Sequence, residues 1–423
     1  MAKLFEVIKD QPVTIKKLVP GGQGIGTRED GIKGFFWNAL PGETTTEYYL
    51  TKKKSHYFEA VATKLENPSN HRIEPLDACY LSTSPWQIMD YAYELEQKSE
   101  LLTEIFRQNY LNCPEVPVQT DGQDFHYRNK MEYSLYWDIE EEKIKPAFRQ
   151  RGSHRKMPIE TSSIERPEIF KEALKIINEL NVKHEEARKY QSLLLRCNQA
   201  GEISGGLYEN KKPHPDFNNL TDEILGQKYS YSPNGFFQIN IPVYEMALKE
   251  IAKHIKTNKV LDLYAGVGTI GLPVAGDKEL TLVENNKAAF EELKRNVRQK
   301  SLQSFSSDHK LGRAALSVSE EKALSISTKA VFANSEDALS YIEPDQTVIL
   351  DPPRAGCDKK LLDKLLEIKP ATIIYLSCNP ATQARDAKIL SEKYHITDIV
   401  PFNFFPRTPH LENLLVLKIS PDE

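Results

Sequence analysis

Four short segments in the second half of the chain carry residue types that can do chemistry together. Asp262-x-x-x-Gly266-x-Gly268 follows the apolar run Val260-Leu-Asp-Leu263. Glycines there let the backbone approach a ligand closely, and the helix start behind them offers unpaired N–H groups. The spacing is not Gly-x-Gly-x-x-Gly and no basic residue waits for a pyrophosphate, which disfavours a dinucleotide. Glu284 lies about twenty residues on, at the end of the next apolar run, where a carboxylate accepts both hydroxyls of a ribose; the lesser alternative is a helix-capping or solvent-facing acid. Asp351-Pro-Pro-Arg354 ends the run Thr347-Val-Ile-Leu350, and two prolines behind the acid fix the direction of its oxygens. Cys378 stands between the β-rich run Thr372–Ser377 and Asn379-Pro380, where local dipoles favour a thiolate nucleophile. A lone cysteine is otherwise inert packing. Glu412 follows Pro406, Pro409 and His410 and precedes Leu414-Leu-Val-Leu417. A carboxylate on a proline-stiffened loop suits a general base; taken alone, it reads as a surface loop acid.

These segments need a scaffold that brings them together. Strands are expected near 259–263, 280–283, 347–350 and 372–377, with helices near 268–275, 286–299, 358–367 and 380–393. Such alternation gives a parallel sheet with helices on both faces, and ligands bind outside the carboxyl ends of its strands. Residues 396–402 and 413–419 lack an intervening helix and read as a final antiparallel pair. The Ser/Lys-rich stretch at about 300–328 reads as a surface insertion.

Upstream the pattern differs. Residues 1–65 are short β-rich runs separated by glycine and proline turns, as in a small barrel. Trp37, Tyr48, Tyr49 and Lys52-Lys-Lys54 are either stacking and charged surface for single-stranded RNA or core aromatics beside a solvated edge. Pro68–Pro75 reads as a linker. Met89, Tyr93, Leu95, Leu101, Leu102, Ile105 and Phe106 recur at roughly helical spacing. Tyr127-Arg128-Asn-Lys130-Met-Glu-Tyr133 mixes basic and aromatic residues on an expected strand. Lys143–Lys156, which includes Arg149 and Arg151, carries six Lys or Arg and no acid. That run fits phosphate contacts, or is a solvated face. The expected organisation is an N-terminal barrel over 1–65, a central RNA-binding unit over 66–230 and a catalytic unit over 231–423.

Composition bounds the reading. At 423 residues, 40% apolar and 27% charged, the chain is a multi-domain globular protein. No run of about 18 apolar residues spans a membrane. The first ten residues lack a signal-peptide core, so a cytoplasmic, monomeric protein is expected. Five cysteines, far apart and never paired as Cys-x-x-Cys, point to reduced thiols, and the ten histidines show no ligand spacing, so no metal is expected. A net charge of -5 leaves nucleic acid open, because binding depends on local patches.

Taken together, Phe236-Phe237-Gln238-Ile-Asn240, Leu261–Gly268, Leu350–Gly356, Leu376–Thr382 and Phe405–Glu412 resemble the signatures of the RNA uracil-5-methyltransferase family, over nearly the whole chain. Residues 1–65, with Gly21–Gly26 and Ala39–Glu43, resemble a TRAM domain, the OB-type barrel of members that modify 23S rRNA. The fold so implied is α/β: a Rossmann-like class I methyltransferase domain, a TRAM barrel and a central α+β RNA-binding domain. The resemblance implies S-adenosylmethionine as cofactor, held by Gln238, Tyr264, Gly266, Gly268, Thr269, Glu284 and Asp351. It implies that Cys378 attacks uracil C6 and that Glu412 removes the C5 proton. The target base would stack on Phe237, with RNA met by Arg128, Lys130, Arg149 and Arg151. The implied substrate is RNA, 23S rRNA first and tRNA second. Where many TRAM-bearing relatives hold a [4Fe–4S] cluster by four cysteines, this chain offers only Cys79, with Ser162 near the fourth position, so no cluster is expected. An RNA-binding protein without catalysis and an amine-directed methyltransferase are the rival readings. The second has a similar Asp-Pro-Pro turn, but an aromatic follows it where Arg354 stands here.

Overall fold

A computed structural model describes residues 6–209, 212–214, 217–308, 328–335 and 337–420. The first five strands, β1 (Val7–Leu18), β2 (Gly24–Thr27), β3 (Lys33–Trp37), β4 (Thr44–Lys53) and β5 (Tyr57–Glu66), close into a barrel of order β1-β2-β3-β5-β4. Strand side chains alternate between faces, and the inward set (Val13, Ile15, Phe36, Tyr48, Leu50, Phe58, Ala60) fills the lumen. Tyr48 belongs to this core. It is wholly buried and stacks on Phe58 with ring centroids 5.7 Å apart, so it offers no surface for RNA. Trp37 stays partly exposed. The proline-rich connection that follows is pinned to the barrel, because Arg72 grips the buried Glu43 carboxylate at 2.6 and 2.7 Å.

The helix expected from the Met89–Phe106 spacing is α2 (Tyr91–Gln108), preceded by the short α1 (Tyr80–Thr83). Asp90 caps α2 by accepting from the Tyr93 N–H at 2.8 Å. The destination of α2 is not its sequence neighbours. Leu102, Ile105 and Phe106 join the core formed by Leu261, Val348, Tyr375, Ala384 and Leu415, so the helix lies on the C-terminal sheet.

The central sheet has the order β11-β10-β9-β6-β7-β8. Its strands are β6 (Lys130–Asp138), β7 (Lys143–Arg149), β8 (Lys156–Pro158), β9 (Ser192–Cys197), β10 (Ile203–Glu209) and β11 (Lys212–His214). Helix α3 (Pro167–Val182) packs on it through Ile169, Ala173 and Ile177. A hairpin of β12 (Leu220–Ile224) and β13 (Gln227–Tyr231) leads to α4 (Ile241–His254).

The C-terminal sheet has seven strands: β14 (Lys259–Leu263), β15 (Glu279–Glu284), β16 (Thr328–Phe332), β17 (Gln346–Leu350), β18 (Thr372–Ser377), β19 (Tyr394–Phe402) and β20 (Glu412–Ile419). Their order is β16-β15-β14-β17-β18-β20-β19. All neighbours run parallel up to β18, while β20 is antiparallel to both β18 and β19. The expected strands and the closing antiparallel pair are all present. Helices α5 (Gly271–Val274), α6 (Lys287–Asp308), α7 (Lys359–Ile368) and α8 (Pro380–Leu390) connect them, and separate apolar cores cover the two faces. Of the insertion expected at about 300–328, residues 309–327 lie outside the described set, and α6 continues to Asp308 before them. Among the described residues, no helix is long and apolar enough to cross a membrane.

Candidate active site

Register puts the reactive residues together. Ser377 of β18 pairs with Asn413 of β20, so one step beyond the last rung Cys378 comes opposite Glu412. On the other side of β18, Leu350 pairs with Tyr375, which brings Asp351 to the same edge. The turns behind these residues are tied to each other: the Arg354 carbonyl accepts from Asn379 Nδ2 at 2.8 Å and from Thr382 Oγ1 at 3.2 Å. Cys378 opens into a cleft of about 230 Å³ lined by Arg354, Asn379, Pro409, His410, Leu411 and the barrel turn Pro20-Gly21.

The electrostatics correct one expectation. The Cys378 thiol is pushed up to about 11, by burial first and then by the Glu412 and Asp351 charges, while Arg354 pulls it down. Burial, the largest of these effects, opposes the thiolate that the helix start favours. Glu412 is 7% exposed and its carboxyl is held well above the usual range by burial and by Asp351. Burial raises Asp351 to about 7. Both carboxyls at this edge are therefore harder to ionise than a solvated acid.

The glycine loop lies two strands away. Tyr264, Gly266 and Gly268 all have left-handed backbone, with φ of 67°, 56° and 92°. A Cβ on Gly268 would stand 2.6 Å from Leu272 Cδ1 and 2.8 Å from Leu293 Cδ1, so glycine is needed there for packing. At Gly266 a Cβ would meet nothing within 4 Å, and its N–H donates to Glu284 Oε2 at 2.8 Å. Glu284 is buried rather than solvent-facing, and its other oxygen accepts from the Asn286 N–H. Asp262 sits beneath this loop, wholly buried. One of its oxygens accepts from Gly271 N–H at 2.8 Å and the other has no partner. Burial, with Asp351 and Glu284 nearby, raises it to about 8. Thr269 Oγ1 accepts from the buried Tyr244 hydroxyl at 3.0 Å. An open glycine turn, a buried strand-end carboxylate and an unpartnered acid oxygen together fit a ligand with hydroxyls and a positive centre.

Phe237 does not face the cleft. It is 3% exposed, stacked on Tyr231 at 3.7 Å, and belongs to the core; its neighbour Phe236 is 78% exposed. Gln238 is half-buried, and its carbonyl accepts from Asn129 Nδ2 at 2.9 Å. Lys130 and Arg128 are also drawn inward. Lys130 Nζ donates to the carbonyls of Asn234 and Gly235 at 3.1 and 3.2 Å, and burial with Arg196 lowers it to about 8. Arg128 Nε donates to the Lys130 carbonyl at 3.0 Å. With Arg128 half-buried beside it, Lys130 thus holds the 234–238 loop. Buried Arg196 does the same from β9, donating to Gly235 O at 3.1 Å and to Phe237 O. Its only sequence signal is a charge inside the apolar run Ser192–Cys197. In the basic run, Arg149 is exposed, but Arg151 stacks on Trp37 at 4.1 Å and donates to Leu81 O, joining the central unit to the barrel. Among the described residues, no group of three or more His, Cys, Asp or Glu could hold a metal.

Residues 216–420 match the family model described as tRNA (Uracil-5-)-methyltransferase. A relative in Bacillus anthracis, named an uncharacterized RNA methyltransferase, is 27% identical over 98% of this chain and 98% of its own. One of the same description in Enterococcus faecalis is 26% identical over 99% of this chain and 100% of its own. The solved Pyrococcus abyssi tRNA (uracil-54, C5)-methyltransferase in complex with S-adenosyl-L-homocysteine superposes with a TM-score of 0.70 at 24% identity, over 96% of this chain and 99% of that one. This last likeness is one of fold, and it includes the Rossmann-like sheet.

Proposed function

This chain belongs to the RNA uracil-5-methyltransferase family, and we propose that it methylates C5 of a uridine in 23S rRNA through a covalent adduct on Cys378. The observation that carries the mechanism is the placement of Cys378 opposite Glu412, with Asp351 at the adjoining strand end. S-adenosylmethionine, when bound, supplies an electrophilic methyl group. Gln238, Tyr264, Gly266, Gly268, Thr269, Glu284 and Asp351 would hold it, around the open side of the glycine turn.

Uracil C5 is a weak nucleophile, and the chain's own residues make it a stronger one. Cys378 loses its proton as it adds to C6, and the bond's electrons make C5 nucleophilic. Arg354, which pulls the thiol pKa down, favours that step. After C5 is methylated, Glu412 removes the C5 proton, and the C6–S bond breaks to restore the ring and release the thiolate. A buried, charge-repelled carboxyl is a stronger base once ionised than a solvated one. The base must leave its helix or lie in a single strand to reach the cleft. Phe237, buried in the core, is not exposed to stack on that base, whereas its neighbour Phe236 is exposed.

The rRNA assignment rests on the TRAM-like barrel, whose Pro20-Gly21 turn borders the Cys378 cleft. A tRNA substrate is the second reading, favoured by the family description and by the tRNA enzyme that shares this architecture. The chain would act as a cytoplasmic monomer without an iron–sulfur cluster, since Cys79 packs in an apolar core with Tyr127, Met131 and Tyr133. The test is methyl transfer by wild type and Cys378→Ala, with 5-fluorouridine RNA to trap the adduct. Turnover or a trapped adduct in Cys378→Ala would sink the mechanism. Mapping 5-methyluridine in cells lacking the gene decides the substrate: a loss in tRNA with 23S rRNA unchanged would overturn the rRNA reading.

A further inference from the structure

The loop that delivers Glu412 is fixed by a charge network on a helix far away in sequence. Lys98 of α2 is 1% exposed, yet it is fully hydrogen-bonded. Its Nζ donates to Glu94 Oε1 at 2.8 Å, to Asn403 Oδ1 at 2.6 Å and to the Phe405 carbonyl at 3.2 Å, which uses all three N–H groups of an ammonium. Glu94, also wholly buried, accepts from Asn403 Nδ2 at 3.1 Å and from the Arg407 backbone N–H at 3.0 Å. Two charges of one helix turn thus hold residues 403, 405 and 407 of the loop that ends at Glu412.

The loop needs such a hold. Arg407 has left-handed backbone at φ 62°, a conformation that a side-chain-bearing residue keeps only when its surroundings impose it. The Arg407 guanidinium is itself buried, donating to Met89 O at 2.7 Å and pairing with Asp124. Lys98 also borders the cleft that contains Cys378. A buried ion pair contributes little net stability, because desolvation offsets the attraction. Placing one behind this loop therefore has its clearest effect on geometry.

We propose that Lys98 is a positioning residue for the reaction: through Asn403 and Phe405 it sets the loop that aims Glu412 at the C5 proton. This rests on Glu412 being the base, as argued above. It predicts a selective defect. The Cys378 adduct should form normally, and its resolution should be slow.

The test uses the full chain, S-adenosylmethionine, and [5-³H]uridine-labelled RNA purified from cells lacking the gene. Two rates are followed: formation of the covalent RNA–protein complex, and release of tritium from C5. Lys98→Met is expected to slow tritium release about 10- to 100-fold, reaching at most the lower end of the roughly 10²- to 10⁴-fold that a general base contributes, with the rate of complex formation and the equilibrium affinity for RNA unchanged. The covalent complex then accumulates, as it should in Glu412→Gln. If tritium release and complex formation fall by the same factor, or neither changes, the inference is overturned. Should Lys98→Met fail to fold because Glu94 is left unpaired, Glu94→Gln/Lys98→Met removes both charges and is judged by the same two rates. A Glu412→Gln enzyme that releases tritium at the wild-type rate would overturn the assignment of the base itself. A Glu412→Gln enzyme that accumulates complex while the Lys98 variants do not overturns only the positioning role.

Discussion

Alanine at Gly266 and at Gly268 should separate ligand contact from packing within a single turn. At Gly268 the new methyl would lie 2.6 and 2.8 Å from two buried leucine methyls, where contact begins at about 3.5 Å. Both leucines are in the core and cannot swing aside, so overpacking of about 1–3 kcal/mol is expected. The φ of 92° adds strain of about 1–2 kcal/mol for any residue with a Cβ. The sum, about 2–5 kcal/mol, corresponds to a fall in Tm of about 5–15 °C for a unit of this size. At Gly266 the backbone lies at φ 56° in the ordinary left-handed well and the methyl meets no protein atom. The stability cost there should be about 1 kcal/mol. The methyl instead occupies the open side of the turn, where the adenosyl cofactor is expected, and affinity should fall at least about tenfold, or 1.4 kcal/mol. Thermal unfolding of the two variants, with calorimetric titration by S-adenosylhomocysteine, measures both quantities. Equal losses of stability in the two variants, or wild-type cofactor affinity in Gly266→Ala, would refute the reasoning.

Four further outcomes follow from the same geometry. Asp351 and Asp262 are raised to about 7 and about 8, so between the ordinary carboxylate range and those values the folded chain binds more protons than the unfolded one. Stability should therefore fall as pH rises through that window, with Tm of the ligand-free protein lower at pH 8.5 than at pH 6, and Asp262→Asn should flatten the dependence. In Gly22→Ala a Cβ would stand 2.3 Å from Pro409 Cβ, so the barrel must shift against the loop of Glu412; turnover should drop while S-adenosylhomocysteine affinity, measured by titration, is kept. Arg151→Ala should cost about 1 kcal/mol by losing its stack on Trp37, leaving the salt dependence of RNA binding unchanged. Arg149→Ala, at an exposed position, should lower the slope of log affinity against log salt by about one.

The contrast between Arg149 and Arg151 shows what a sequence can carry. A run of cations announces charge but not its partners; Lys145 pairs with Asp138 and Lys156 donates to the Leu135 carbonyl. The β-rich runs ending in glycine or proline turns marked the sheet's strands because local sterics decide both. The two readings of Tyr48, stacking surface or core aromatic, are separated only by which face of β4 the barrel closes inward. Phe236 and Phe237 are adjacent and chemically identical, and only the stack on Tyr231 separates them. The helical spacing of α2 was plain, while its resting place on the C-terminal sheet depends on a surface built from residues 150 to 310 positions later.

The same distance explains the site. Cys378, Asp351 and Glu412 stood out as candidates because few residue types can attack, bind or remove a proton, and each follows or begins a strand. Their meeting was less so, since the step from Ser377–Asn413 to Cys378 and Glu412 requires β20 to insert between β18 and β19. The residues that hold the geometry were illegible. Lys98 and Arg196 are charges that periodicity assigns to solvent or to nothing, and each is buried because carbonyls from a distant loop satisfy it. A reacting group is constrained by its own chemistry, whereas a positioning group is constrained by a partner it meets only in the folded chain. On that argument, undetected functional residues in a fold of this kind should be sought among buried charges that donate to loop carbonyls near strand ends.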